Sequence, residues 1–328
     1  MKKLLAVALS LCASAAFAEL SSEPNACHWT GAVSGAWTEP GNWLESAVPG
    51  TGETAVFDRA SGNTTIDFTG MSPVGKILVT GAETPSYTFG TAASQKLLLD
   101  QKGWIDVDAT VMADQTVKAS VWYFCEAQMQ SSVYFRNNSS AILKLSSYNG
   151  PVTGVVSWMG AWNAYYYGSG LIQKIGNPDA TSGGGANLRM CMDEGGVLEY
   201  TVSGEFYQII TDGTGTRQHI VIDAGCTLSS SNPSSVFAHA GNSDEAWLSG
   251  EGTFYLSDNS KKAADSCYLG SAAASGIVTF DCKFKRRADN TTTFGFWNPT
   301  TYYFNRTNDI SGGFLYELDG KSGDALTK

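Results

Sequence analysis

The chain has 328 residues, 21 basic against 31 acidic, for a net charge of −10, with only 16% charged residues and 36 glycines. Such an acidic chain is a poor match for phosphate backbones or anionic membrane faces, so neither nucleic acid nor a lipid surface is an expected partner. A hydrophobic share of 43% suffices for a core and argues against wholesale disorder, while many glycines and few charges point to a β protein with tight turns.

The N-terminus reads as an export signal. Lys2 and Lys3 precede an apolar run from Leu4 to Leu11, and Ala16-Phe17-Ala18 then leads into Glu19, which predicts cleavage between Ala18 and Glu19. The run is too short for a membrane span, which needs about 20 apolar residues. Leu11 stands where a lipidated Cys12 would need a small residue before it. Loss of residues 1–18 removes two lysines and one of the seven cysteines, leaving Cys27, Cys125, Cys191, Cys226, Cys267 and Cys282. An even number in an oxidising compartment favours disulfides, with Cys267 and Cys282 the nearest pair and free buried thiols the alternative. There is no C-x-x-C and the chain holds three histidines, so no metal centre is expected.

Residues 19–58 form the first unit. Trp29, Trp37 and Trp43 stand among Gly, Pro and Asn and lead to the short apolar strand Ala55-Val56-Phe57. The tryptophans are expected to close an exposed end of the core. From residue 59 to 328 the pattern is one of short β-rich runs bounded by Gly, Asn, Asp, Ser or Pro. These runs are 64–68, 76–80, 96–100, 104–111, 116–124, 132–136, 141–146, 197–202, 219–224, 252–258, 276–284 and 292–297. Several alternate apolar and polar, as half-buried strands do. The best helix candidate, 92–103, holds a three-Leu run that suits a strand equally, and the long amphipathic segments of a βαβ sheet are missing. Phrases at 194–206, 248–260 and 270–284 echo one another without a strict period, which favours a solenoid of stacked units over a β-sandwich.

The opening phrase carries a resemblance. W-T-G, then Gly35 and Trp37, Asn42-Trp43, Pro49-Gly50 and Ala55 to Phe57, resembles the N-terminal module of exported, autotransporter-associated β-strand-repeat proteins. Asn308-Asp309-Ile310-Ser311-Gly312-Gly313-Phe314 is similar to the N-x-Y-x-G-G-T phrase of that repeat, with Ile for the aromatic and Phe for Thr. The resemblance implies a right-handed parallel β-helix acting as a passenger or surface stalk. The closing membrane barrel of an autotransporter is not among these residues. A piece of a longer passenger is therefore expected ahead of a free secreted relative, because an open solenoid edge needs cover.

Asp106 and Asp108 lie two apart on one strand and offer paired carboxylates for glycoside chemistry; the plain alternative is a wet strand face over buried Ile105 and Val107. His219 and His239 lack a G-x-S-x-G partner. The turn at 212–216 has too few oxygen ligands for calcium, and Gly183-Gly184-Gly185 lacks the lysine of a phosphate loop, so no cofactor is expected. The aromatic run from Trp158 to Tyr167 contains Trp158, Trp162, Tyr165, Tyr166 and Tyr167, and those that face outward would suit stacking on sugar rings. The expectation is thus an exported all-β solenoid with an aromatic-rich N-terminal cap, a non-enzymatic surface passenger touching glycans. A β-helix lyase or hydrolase and a carbohydrate-binding module are the alternatives.

Overall fold

The computed structural model describes residues 23–123, 132–146, 149–151, 163–176, 187–206, 208–211, 217–230, 236–239, 244–256, 267–269, 276–286, 294–296, 301–306 and 316–318. Apart from a single 3-10 turn at Pro40–Asn42, the regular structure there is all strand, and every strand pairing is parallel. Apart from Ala26–His28 and Thr54–Phe57, consecutive strands do not pair with each other. One ladder joins Ala26–His28, Thr54–Phe57, Val74–Val79, the end of Lys96–Val107, Ser132–Asn137, Asn163–Gly168, Asn187–Met192, Ile209–Thr211 and Phe237–His239. A second joins Thr65–Ile66, Thr88–Phe89, Gln115–Val117, Leu143–Ser146, Leu171–Ile175, Val197–Tyr200 and Arg217–Ile222, then runs through Asp244–Leu256 and Gly276–Arg286 to Thr301–Phe304. Shorter third-face ladders hold Ser120–Tyr123 and Asn149–Pro151, and farther on Gly204–Phe206 and Thr227–Ser230. The chain therefore visits each face once per coil and stacks coil on coil. This is a parallel β-solenoid, consistent with the right-handed sense that parallel crossovers take.

Parallel pairing needs a long return between partners, and here the other two faces of the coil supply it. On the first face Lys76, Trp104, Tyr134, Tyr165, Arg189 and Ile210 lie rung above rung. Their numbers show a coil varying in length, shortest between Arg189 and Ile210 and longest between Tyr134 and Tyr165. The faces stay in register because length varies at the corners, which explains why the echoing phrases have no fixed period.

Side chains alternate in and out along each strand. The inward row of the first face runs Ala55, Ile77, Ile105, Phe135, Tyr166 and Met190, all buried. The opposing row on the second face runs Ile66, Phe89, Val117, Leu145, Lys174, Tyr200 and Ile222. Apart from Lys174, these rows belong to one continuous apolar core. The three-Leu run at 97–99 lies in the long strand Lys96–Val107, so the helix candidate there is a strand. The single run expected at 116–124 contains two strands, Gln115–Val117 and Ser120–Tyr123. At the corner between them, the N–H groups of Lys118 and Ala119 both donate to the Phe89 carbonyl at 2.9 Å.

The aromatic cap is present. Trp29, Trp37 and Trp43 are buried, with ring centroids 5.0 Å apart for Trp29 and Trp43 and 4.9 Å for Trp37 and Trp43, and they pack on Phe57 and Phe68. The motif residues around them have separate duties. Asn42 is buried, accepts from the N–H groups of Val33 and Ser34 and donates to the Ala36 carbonyl. Gly35 lies so close to the Thr65 carbonyl that a Cβ there would collide with it. Ala26–His28 and Thr54–Phe57 are the first two rungs of the first ladder, so within the described residues 23–58 this unit is continuous with the solenoid. Residues 1–18, where an export signal is expected, and the phrase at 308–314 lie outside the described residues. Among the described residues no helix is long and apolar enough to cross a membrane.

Candidate functional site

Outward residues of the first face form two adjacent rows across the coils. In the first, Trp104, Tyr134 and Tyr165 stack with centroids 4.6 and 4.7 Å apart and planes 15° from parallel, and the Arg189 guanidinium lies 5.3 Å from the Tyr165 ring. The spacing is that of neighbouring strands, so in-register rings meet face to face without leaving their rungs. All three rings remain partly exposed. The second row runs Leu78, Asp106, Arg136, Tyr167 and Cys191. Burial, with the Cys191 thiol hydrogen-bonded beside it, pushes the Tyr167 phenol well up.

Asp106 corrects the expectation of a wet carboxylate pair. It is 1% exposed. Arg136, its partner on the next rung, donates through Nε to Oδ1 at 2.7 Å and through a terminal nitrogen to Oδ2, while Lys76 Nζ lies 3.2 Å from the same Oδ2. The Arg136 guanidinium also lies 5.3 Å from the Trp104 ring, which ties the ion pair to the aromatic row. Bonding to Asp106 raises the Arg136 pKa further. Asp108 accepts from the Thr110 N–H at 3.0 Å and its hydroxyl at 2.7 Å, closing a turn. Burial would raise its pKa, but these bonds outweigh it and hold the carboxyl below the usual range. A general acid in glycoside cleavage needs the opposite shift. The alternation that places Ile105 and Val107 inside does put both aspartates outside, but the neighbouring coil covers Asp106.

The aromatic run divides as strand geometry requires. Tyr165 and Tyr167 face outward, whereas Tyr166 is fully buried and stacks on Phe135 at 5.5 Å. Tyr166 therefore offers no surface to a ligand. Trp158 and Trp162 lie outside the described residues. The stacked rings cover one another's faces, so the row presents edges and polar rims rather than a flat platform for sugars.

Interior and second-face features escaped the sequence reading. Lys174 points inward in a row of apolar residues, 5% exposed, with its ammonium 5.8 Å from the Tyr166 ring centroid and 6.0 Å from that of Phe135. Desolvation brings its pKa down to about 8. The alternation in Leu171-Ile172-Gln173-Lys174-Ile175 marks it as inward, the one available signal. On the second face His219 stacks on Trp247 at 4.0 Å, and its Nε2 lies 2.8 Å from Ser249 Oγ. Desolvation, then the nearby Arg217, lowers the His219 pKa. Of His239 only the backbone is described. In the cap, His28 is buried with Nδ1 2.7 Å from Glu45 Oε1 and Nε2 3.6 Å from Asp58 Oδ2. Burial would raise Glu45, but the two His28 donors outweigh it and hold that carboxyl low.

Cys27, Cys191, Cys226 and Cys282 are free thiols, which corrects the disulfide expectation for those four. For two of them the reason is positional: Cys27 and Cys191 sit on rungs beside Ala55 and Tyr167 rather than beside another cysteine. Among the described residues no cluster of three or more His, Cys, Asp or Glu forms that could hold a metal ion. Compared with known proteins, the chain matches no family model, no curated protein and no solved structure.

Proposed function

We propose that this chain is an exported structural protein of the passenger type, a β-solenoid that carries its outward face to the cell surface or the medium. One observation carries the reading: the outward side chains of the first face are occupied with neighbouring coils. Trp104, Tyr134 and Tyr165 stack on one another, and Asp106 is held by Arg136 and Lys76. Such ladders stiffen a solenoid along its axis, as a stalk requires. The leader at residues 1–18 supports export, and the tryptophan phrase supports the passenger class.

Glycan contact is a second reading, favoured by the partly exposed edges of Tyr165 and Tyr167 beside Arg189. It makes the stripe a lateral contact surface. The enzymatic alternative rests on Asp106 and Asp108, and Asp106→Asn separates the two classes. A structural carboxylate predicts a loss of about 1–3 kcal/mol, less than for a fully buried pair because Arg136 stays partly hydrated. Denaturant unfolding of the full chain would read that loss, with polysaccharide retention unchanged. Stability equal to wild type, together with lost depolymerisation of a polysaccharide panel, would overturn the structural assignment. Fractionation of the native cells with an antibody to residues 19–328 tests the location.

A further inference from the structure

The outward aromatic row has a chemistry that its stacking makes specific. Tyr134 and Tyr165 lie on adjacent rungs, with ring centroids 4.7 Å apart and planes 15° from parallel. Tyr167 is farther from both, at 6.2 and 6.1 Å. Backbone register and stacking hold the first pair close before any reaction, and such pre-alignment converts an encounter into a high effective concentration. Both phenols are partly exposed, so an oxidant in solvent reaches them. The interior phenol of Tyr166, between Tyr165 and Tyr167 in the chain, is sealed in the core.

We propose that Tyr134 and Tyr165 are a site of oxidative cross-linking, joined through their ortho carbons as dityrosine by a one-electron oxidant of the haem peroxidase class using hydrogen peroxide. Each phenol gives up one electron and one proton. The two phenoxyl radicals form one carbon–carbon bond, and the ring protons at the joined carbons move to the oxygens to restore aromaticity. One peroxide takes up the two electrons and two protons and leaves as two waters. The product is lighter by two hydrogens. Tyr167, farther from both rings at 6.2 and 6.1 Å, is left out of the coupling. The link would staple one coil to the next along a face where Cys191 is a free thiol.

The test uses the full mature chain, dilute, with peroxidase and limiting peroxide. The expected product is a monomer with a mass lower by two hydrogens, dityrosine fluorescence, one cross-linked peptide pair containing Tyr134 and Tyr165, and a raised melting temperature. Tyr134→Phe keeps a stacking ring, so it should fold and lose the cross-linked monomer; Tyr165→Phe should do the same. Tyr303→Phe, which removes an exposed phenol on another face, should leave the yield unchanged. The assignment is overturned if Tyr134→Phe forms as much dityrosine as wild type. It is equally overturned if the fluorescence resides in dimers whose yield grows with concentration, or if oxidation yields no dityrosine. None of these readings depends on whether the protein is a passenger.

Discussion

Lys174 shows what burial does to a charge inside a solenoid. Its neighbours in register are Leu145 and Tyr200, and its ammonium lies over two aromatic faces. Cation–π attraction offsets part of the desolvation, but the pKa still falls to about 8. A lysine whose folded pKa lies below its unfolded value binds fewer protons when folded, so it costs stability at neutral pH, and the cost fades as pH rises from about 8 toward its ordinary value. Burial pushes the thiols of Cys27 and Cys282 up to about 11 and 12. Those groups act in the opposite sense above pH 9, so the comparison must be made against a variant that shares them. Lys174→Met should be more stable than wild type by about 1–3 kcal/mol at pH 7. The advantage should shrink between pH 8 and pH 10 when urea unfolding is measured across that range. A constant difference would mean that Lys174 does not titrate in the core.

The cap gathers its tryptophans through local chain geometry. The 3-10 turn at Pro40–Asn42 starts on Glu39, whose carboxylate accepts from the Gly41 N–H, and ends where the Trp43 N–H reaches the Pro40 carbonyl. That turn reverses the chain so that Trp43 forms an antiparallel bridge with Trp29 and drops its ring between Trp29 and Trp37. Its indole N–H then donates to the Trp37 carbonyl at 2.9 Å. Edge-to-face contacts of this kind add to area burial, and truncation of a buried aromatic leaves a cavity. Trp43→Ala should cost about 3–5 kcal/mol in chemical denaturation. Asn42→Ala should add a separate loss because two backbone N–H groups would lose their acceptor.

Across the whole molecule, contacts run from each coil to the next, which makes stability close to a sum of coil and interface contributions. Ending the chain at Ser230, after the third-face strand Thr227–Ser230, should leave the preceding coils folded. Amide hydrogen exchange should then show protection at Phe135 and Ile172 close to that of the full chain. Removing residues 19–58 should be worse despite the smaller deletion, because it strips two rungs and the tryptophans from one core end. Aggregation and loss of a cooperative melt are the expected readout. If both truncations lost protection equally, the fold would behave as one cooperative unit rather than as a stack.

Strand positions were legible in the sequence because alternation and turn residues are local signals. Val74–Val79, Ser132–Asn137, Leu143–Ser146, Val197–Tyr200 and Gly276–Arg286 fall close to runs visible in composition alone. The tryptophan cap was legible too, because Trp29, Trp37 and Trp43 are too large and too closely spaced to go unburied. Register was not legible. Whether Asp106 is wet or sealed depends on Arg136 arriving beside it from the next coil, 30 residues along and after the chain has crossed the other two faces. The same holds for the Tyr134–Tyr165 stack and for Cys191 meeting Tyr167 instead of another cysteine. Sequence alone determined the β class, the strand faces and the capped end, since each follows from side chains within a few residues. Only the tertiary structure decided which outward residues meet, because parallel stacking brings together groups whose separation in the chain carries no fixed period.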